Sequence, residues 1–203
     1  MPSTLVNRFR PVAVAAIAAV RRPLEVADPF ADVQAATRRH RRAHHCGAFA
    51  YGEGSLPAAI VAAVGARRIV EVGTALGYTS LAMAHAAPGA RVETIEMDPD
   101  HVRLAREQIS AHRMDDRIDV LPGTAEAVLK TLESGSYDVA FFDGFTPTGE
   151  VVRELHRLLR IGGTLIAGNL ILGPDRAVTS HLGDTSRWRT HSFGETALCV
   201  RLA

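Results

Sequence analysis

Two carboxylates and a hydroxyl-bearing turn are the residues of this chain best placed to do chemistry. Glu96 closes the run Val92-Glu93-Thr94-Ile95-Glu96, and Asp143 follows Tyr137-Asp138-Val139-Ala140-Phe141-Phe142. Each run reads as a strand, so each acid stands at a strand's carboxyl end, the edge where open α/β sheets gather ligands. A carboxylate there can accept hydrogen bonds from sugar hydroxyls or take a proton from a bound acceptor. The turn lies in Ile69-Val70-Glu71-Val72-Gly73-Thr74-Ala75-Leu76-Gly77-Tyr78-Thr79-Ser80, where a β-branched run ends in glycine and a helical pattern starts after a second glycine. Glu96 follows this turn at about the twenty-residue spacing that suits a ribose-binding acid. Together they predict a ligand that carries adenosine.

The glycine spacing narrows the choice. A pyrophosphate-binding loop needs G-x-G-x-x-G, whose middle glycine lets backbone approach the phosphates. Here the spacing is Gly73-x-x-x-Gly77, and Ala75 fills the middle position. A loop that need not touch phosphate tolerates that side chain. S-adenosylmethionine has no phosphate, and Gly73, Tyr78 and Thr79 could serve its amino acid end with backbone and hydroxyl groups. A bare tight turn and a nicotinamide cofactor are the alternatives. A further strand, Arg117 to Leu121, leads into Pro122-Gly123-Thr124-Ala125-Glu126, a turn into a helix where an adenine ring could lie against backbone.

In this order and spacing, these segments, with Thr94-Ile95-Glu96-Met97-Asp98-Pro99 and Gly123-Thr124-Ala125, resemble the class I O-methyltransferases of catechol and caffeoyl-CoA type, from about Gly47 to the C-terminus. The resemblance implies a Rossmann-like fold and a site for S-adenosylmethionine built from Glu71, Gly73, Thr74, Gly77, Tyr78, Thr79, Glu96, Met97, Thr124, Ala125 and Asp143. Glu96 would hold the ribose, Met97 would pack near the adenine, and Ala125 would offer it a main-chain N–H. Met97 could equally be a gap-filler in the core. The resemblance also implies a divalent metal, magnesium, held by Asp143, a second aspartate and Asn169. Gly168 stands where that second aspartate belongs, and Thr146 stands where the family's catalytic lysine belongs. Lys130, the one lysine of the chain, falls in a predicted helix away from this edge. Magnesium relies on carboxylates in near-octahedral oxygen coordination. A metal on Asp143 and Asn169, a metal-free transfer and an inactive site therefore all stay open, and Asp143 could also merely cap a helix.

The elements that must position these residues alternate along the chain. The residues to about Ala50 read as a helical cover, and an apolar helix over Leu56 to Val64 leads into the first strand, Arg68 to Val72. Helices at Tyr78 to Ala86, Pro99 to His112, Ala125 to Leu132 and Gly149 to Leu159 separate strands at Arg91 to Glu96, Ile118, Val139 and Thr164 to Ala167, with Ile161-Gly162-Gly163 ending the last helix. Such alternation predicts an α/β doubly wound, mostly parallel sheet whose right-handed crossovers bring Gly73, Glu96 and Asp143 around one cleft. Trp188 to Phe193 and Thr196 to Leu202 predict a C-terminal antiparallel hairpin at the sheet edge.

At 203 residues and 47% apolar composition, a single domain is expected, with residues 1–50 covering a cofactor-binding core of 51–203. The run Pro11 to Val20 is too short to span a bilayer and reads as an amphipathic or buried helix. No membrane association is expected, and the protein is read as cytoplasmic. Cys46 and Cys199 form no disulfide framework. Cys199 belongs in the core, and Cys46 with His40, His44 and His45 matches no standard zinc finger. Eight arginines precede Gly47, and Arg38-Arg39-His40-Arg41-Arg42 could attract an acidic partner. It lacks the aromatics of a base-stacking surface, so a solvated helix face is the default and nucleic acid is not expected. The resemblance thus implies methylation of a small hydroxylated acceptor, with Asp143 as base or partial metal ligand, in a homodimer. A cofactor-binding protein without catalysis, motivated by Gly168 and Thr146, and an RNA methyltransferase are the competing readings.

Overall fold

The computed structural model describes residues 27–52 and 54–203. The expected Pro11–Val20 helix lies outside the described residues. The elements, in chain order, are α1 (Ala31–His44), α2 (Ser55–Ala63), β1 (Arg68–Val72), α3 (Tyr78–Ala86), β2 (Arg91–Glu96), α4 (Pro99–Ala111), β3 (Ile118–Pro122), α5 (Ala125–Val128), β4 (Tyr137–Phe142), α6 (Gly149–Leu158), β5 (Leu159–Ala167), α7 (Arg176–Leu182), β6 (Trp188–Phe193) and β7 (Thr196–Arg201). One seven-stranded sheet runs in the order β3-β2-β1-β4-β5-β7-β6. The first five strands are parallel, and β7 pairs antiparallel with both β5 and β6. The doubly wound sheet and its terminal hairpin are therefore as expected.

The apolar runs become strands because both faces of the parallel sheet are covered. Along β1 the side chains alternate, Ile69 entering one core with Leu81, Val92, Phe141 and Ile166, and Val70 and Val72 entering the other with Ala140, Phe142, Leu155 and Leu165. Helix α6 buries Val151, Val152, Leu155 and Leu158, one helical stripe, against the second core. Caps fix the helix starts. Asp98 accepts from the backbone N–H groups of Asp100 (2.9 Å) and His101 (3.4 Å), with Pro99 following it at the first helical position. Thr148 accepts from Val151 N at 3.2 Å.

Three details differ from the sequence reading. Helix α6 ends at Leu158, and Ile161-Gly162-Gly163 lies inside β5. The ladder to β4 shifts register between Tyr137 and Val139, and Gly162, at φ +77°, takes up the irregularity. At Gly163 a Cβ would meet the Arg160 carbonyl oxygen at 2.8 Å, so a side chain is excluded there. The helix expected over Ala125 to Leu132 is α only through Val128 and then tightens to a 3₁₀ turn, Leu129–Thr131. Helix α7 was not anticipated. Asp175 starts it, accepting from Val178 N at 2.8 Å. Among the described residues, no helix is long and apolar enough to cross a membrane.

Candidate functional site

The carboxyl ends of β1, β2 and β4 meet where the strand order reverses about β1, the switch point of an open α/β sheet. Backbone hydrogen bonds lock the three exits together. Gly73 N donates to Ile95 O at 3.0 Å, and Asp143 N donates to Val72 O at 2.9 Å. At Gly73, φ is +98° and a Cβ would stand 2.7 Å from the Asp143 carbonyl oxygen. Only glycine allows the turn after β1 and the exit from β4 to pass this closely. Gly73, Glu96 and Asp143 thus share one cleft, as the crossover argument expects.

The β1–β2 side of the cleft is held by its own hydrogen bonds. Glu96 is buried, and its two oxygens accept from Ala75 N and Asp98 N, each at 2.9 Å. Each carboxylate oxygen keeps a second lone pair for a sugar hydroxyl. Ala75 adopts φ +47°, a conformation that side chains resist, and its bond to Glu96 holds it there. Thr74 shares a 2.6 Å hydrogen bond with Thr94 on β2, clasping the turn to the neighbouring strand. Glu71 is completely buried and accepts from the hydroxyls of Thr79 and Ser80 at the start of α3. Burial raises its carboxyl above the ordinary range, against the hydrogen bonds that oppose the shift.

Tyr78 turns away from the role expected of its hydroxyl. It donates to Asp28 Oδ2 at 2.7 Å and accepts from Gly54 N at 3.2 Å, tying α3 to the segments around α1 and α2. Burial first, and the bond to Asp28 second, push its phenol up to about 12. The hydroxyls of Thr74, Tyr78 and Thr79 are thus taken by protein partners, leaving backbone at this turn to face a ligand. Met97 is 71% exposed, which overturns its reading as a core residue. Gly123 N donates to Glu96 O at 2.9 Å, placing the β3 exit beside the same acid. Thr124 caps α5 by accepting from Ala127 N at 3.3 Å, and the Ala125 N–H is among those a helix start cannot satisfy internally. Gly77 supplies the left-handed cap of α3, at φ +91°.

The β4–β5 side is built differently. Asp143 is half-buried, and burial, then the nearby Glu71 carboxylate, raise its carboxyl well above the usual range. Glu195, in the β6–β7 turn, adds to the rise, and the Asn169 amide opposes it. Asn169 Nδ2 donates to Asp143 Oδ1 at 3.3 Å and to Gly144 O at 2.6 Å. A Cβ at Gly168 would lie 3.0 Å from Phe142 O, 3.6 Å from Asp143 Oδ1 and 3.7 Å from the Tyr51 ring. Around this pair stand exposed apolar side chains, Phe145 at 81% and Ile171 at 75%. Lys130 instead forms an ion pair with Glu150 Oε1 at 2.5 Å.

Tyr51 and Glu195 are site residues that sequence reasoning missed. Tyr51 packs edge-on against Phe141 and shares a 3.0 Å hydrogen bond with Thr196. Its position ahead of Gly52 and Gly54 was the available signal; Glu195 had none, because only the folded hairpin brings it near Asp143. In the arginine run Arg38, Arg39 and Arg42 are exposed, as a solvated helix face requires, while Arg41 lies over the Phe49 ring at 4.2 Å and the His40 ring meets His101 edge-on. Cys199 is fully buried, as expected.

Comparison with known proteins places this architecture. The family model described as O-methyltransferase matches residues 30–175, a span that begins before α1 and closes before α7. A catechol O-methyltransferase of Mycobacterium tuberculosis is 32% identical over 123 residues, covering 60% of this chain and 56% of that protein. The chain thus spans little more than half the length of that curated relative. The O-methyltransferase TomG of Streptomyces achromogenes, solved with SAM, superposes with a TM-score of 0.75 at 21% identity, over 97% of this chain and 98% of its own. The O-methyltransferase of Bacillus cereus, solved with SAH, gives 0.71 at 19% identity, over 92% and 96%. The family model spans most of the chain, including Glu96 and Asp143, and the chain belongs to the O-methyltransferase family.

Proposed function

We propose that this protein methylates a hydroxyl of a small, partly apolar acceptor using S-adenosylmethionine, with Asp143 as the base. The observation that carries the reading is geometric: the β4 exit that bears Asp143 is hydrogen-bonded to the end of β1, and the Gly73 turn is hydrogen-bonded to β2 just before Glu96. A bound cofactor of this kind supplies an electrophilic methyl on a sulfonium. Glu96 would accept the ribose hydroxyls with its remaining lone pairs, the Ala125 N–H would meet the adenine, Met97 would cover it, and the backbone of Gly73 to Gly77 would hold the amino acid end. Glycine at Gly73, where a Cβ would collide with the Asp143 carbonyl oxygen, lets this turn and the β4 exit pass closely. Asp143, ionised, would take the acceptor's proton as an oxygen–methyl bond forms and the methyl–sulfur bond breaks, leaving S-adenosylhomocysteine; a carboxylate with a raised pKa is the stronger base for that role. Phe145 and Ile171 offer the acceptor an apolar seat.

Magnesium does not fit the residues present. One carboxylate stands where two are needed, Asn169 turns its amide N–H groups toward Asp143 and Gly144, and the Phe142 carbonyl oxygen crowds the position of a Gly168 side chain. The reaction is therefore derived without it. A homodimer joined through the α1 region, in a reducing compartment such as the cytoplasm that suits two free cysteines, completes the reading.

Calorimetry with S-adenosylhomocysteine, followed by methyl-transfer assays on phenols and acyl-CoA esters, tests it. Binding and turnover are expected, with binding retained and turnover lost in Asp143→Asn. Binding without turnover on any hydroxylated acceptor would instead favour the cofactor-binding reading.

A further inference from the structure

The search outside the cleft leads to the far end of α1. One ligand atom each from His40, Cys46 and His101 lie within 4.8 Å of one another, a group assembled from the last turns of α1, the loop after it and the first turn of α4. His101 is 5% exposed, and its Nε2 is buried without a hydrogen-bond partner among the described residues. A buried imidazole nitrogen left so is a cost the fold must offset. Its other nitrogen, Nδ1, stands 3.8 Å from Glu96 Oε1, near that carboxylate but beyond hydrogen-bond distance. Sequence spacing had grouped Cys46 with His40, His44 and His45. The fold keeps His40 and Cys46 and supplies the third donor from His101, 55 residues beyond Cys46 in the chain.

We propose that His40, Cys46 and His101 bind a borderline-soft divalent transition metal, of which zinc is the type, as a two-nitrogen, one-sulfur site. Two imidazoles and a thiolate are a donor set that hard, oxygen-seeking magnesium or calcium does not use. Zinc bonds of about 2.0–2.3 Å bring tetrahedral donors to about 3.5 Å apart. The site must therefore contract by about 1 Å, which rotation of the half-buried His40 and Cys46 side chains can supply. Cys46 releases its thiol proton to solvent on binding, and the fourth position falls to water or to Asp98, whose Oδ2 lies 3.9 Å from His101 Nε2. The metal fastens the end of α1 to α4, directly behind the acid proposed for the ribose. It is separate from Asp143 and independent of the methyl-transfer reading.

The test is a cobalt titration of chelator-treated protein, followed by displacement with zinc. One equivalent should bind with a thiolate-to-cobalt charge-transfer band. Cys46→Ser should abolish that band while Cys199→Ser and Asp143→Asn keep it. His40→Ala and His101→Ala should each weaken zinc binding at least about 100-fold, since even outer-sphere partners cost 10–100-fold. Circular dichroism checks that each variant is folded, and His40, half-exposed, tests the site should His101→Ala unfold. Binding without a thiolate band, or binding undiminished in folded Cys46→Ser or His40→Ala, overturns the proposal.

Discussion

The two walls of the cleft solve opposite problems. On the β1–β2 wall nearly every polar side chain has a protein partner: Thr74 with Thr94, Glu71 with Thr79 and Ser80, Glu96 with two backbone N–H groups. On the β4–β5 wall a carboxyl is held above its ordinary range, one amide touches it, and large apolar side chains face solvent. A wall that must hold a fixed shape is pre-organised by satisfying its own polar groups. On the proposed reading, the wall that takes up a proton does so with a carboxyl whose pKa is raised, which makes it the stronger base. The difference teaches where to strike each function separately.

The largest effect is expected at Asp143. Asp143→Asn keeps the shape and removes the proposed base, so turnover should fall by roughly 10²–10⁴-fold, while S-adenosylhomocysteine affinity changes little. The same change should stabilise the fold at neutral pH. A carboxyl whose folded pKa is raised favours the native state when protonated, and that advantage is lost as pH climbs from the unfolded value through the raised one. Asn cannot ionise, so thermal unfolding scans at neutral pH should give a higher Tm for the variant. Equal activity in both proteins would remove the distinction between the walls.

Glu96→Gln strikes the other wall. The charge-assisted bonds from Ala75 N and Asp98 N weaken, and on the proposed reading the ribose loses its anionic acceptor. A bond to a charged group is worth about 1.5–3 kcal/mol, so calorimetry should show affinity for S-adenosylhomocysteine falling roughly 10–100-fold. Turnover at saturating cofactor should change far less. A kcat loss as deep as that of Asp143→Asn would mean the walls are not separable.

Glu71 links them, and its removal has a smaller, signed effect. Its charge helps hold the Asp143 carboxyl up. Activity should rise with pH as Asp143 loses its proton, and in Glu71→Gln that rise should move to lower pH. The pH profile of kcat/KM checks this. An unmoved or upward-moved acid limb would show that Glu71 does not act on Asp143.

The same contrast explains what could be read from the residues alone. The strand ends, the Gly73 turn and the placing of Glu96 and Asp143 were legible because long apolar runs and glycines impose them locally. The partners of Thr74, Tyr78 and Thr79 were not, because a hydroxyl's choice between a ligand and Thr94, Asp28 or Glu71 depends on what the fold brings near. Tyr51 and Glu195 reach the site across 92 and 52 residues from Asp143, beyond any local pattern. Ile161-Gly162-Gly163 misled for a related reason: glycines that commonly end helices here allow β5 to cross the end of β4.

The smallest expected change concerns the metal. Gly168→Asp places a carboxylate where the resemblance to the family expects one, so it asks whether a single missing ligand separates this wall from a magnesium site. A Cβ there meets the Phe142 carbonyl oxygen at 3.0 Å, a backbone atom that cannot swing aside, and the Tyr51 ring stands 3.7 Å away. The variant should lose about 1–3 kcal/mol of stability, as overpacked sites do, visible as a Tm drop of a few degrees. Its new carboxylate would also sit near Asp143, and like charges at one site raise each other's pKa. Magnesium should then leave turnover of both proteins within about twofold, because Asn169 holds its N–H groups, not its oxygen, toward Asp143. A tenfold, magnesium-dependent gain in Gly168→Asp would show the opposite: that the β4–β5 wall is a metal site short of one acid, and that Asp143 serves it as a ligand before it serves as a base.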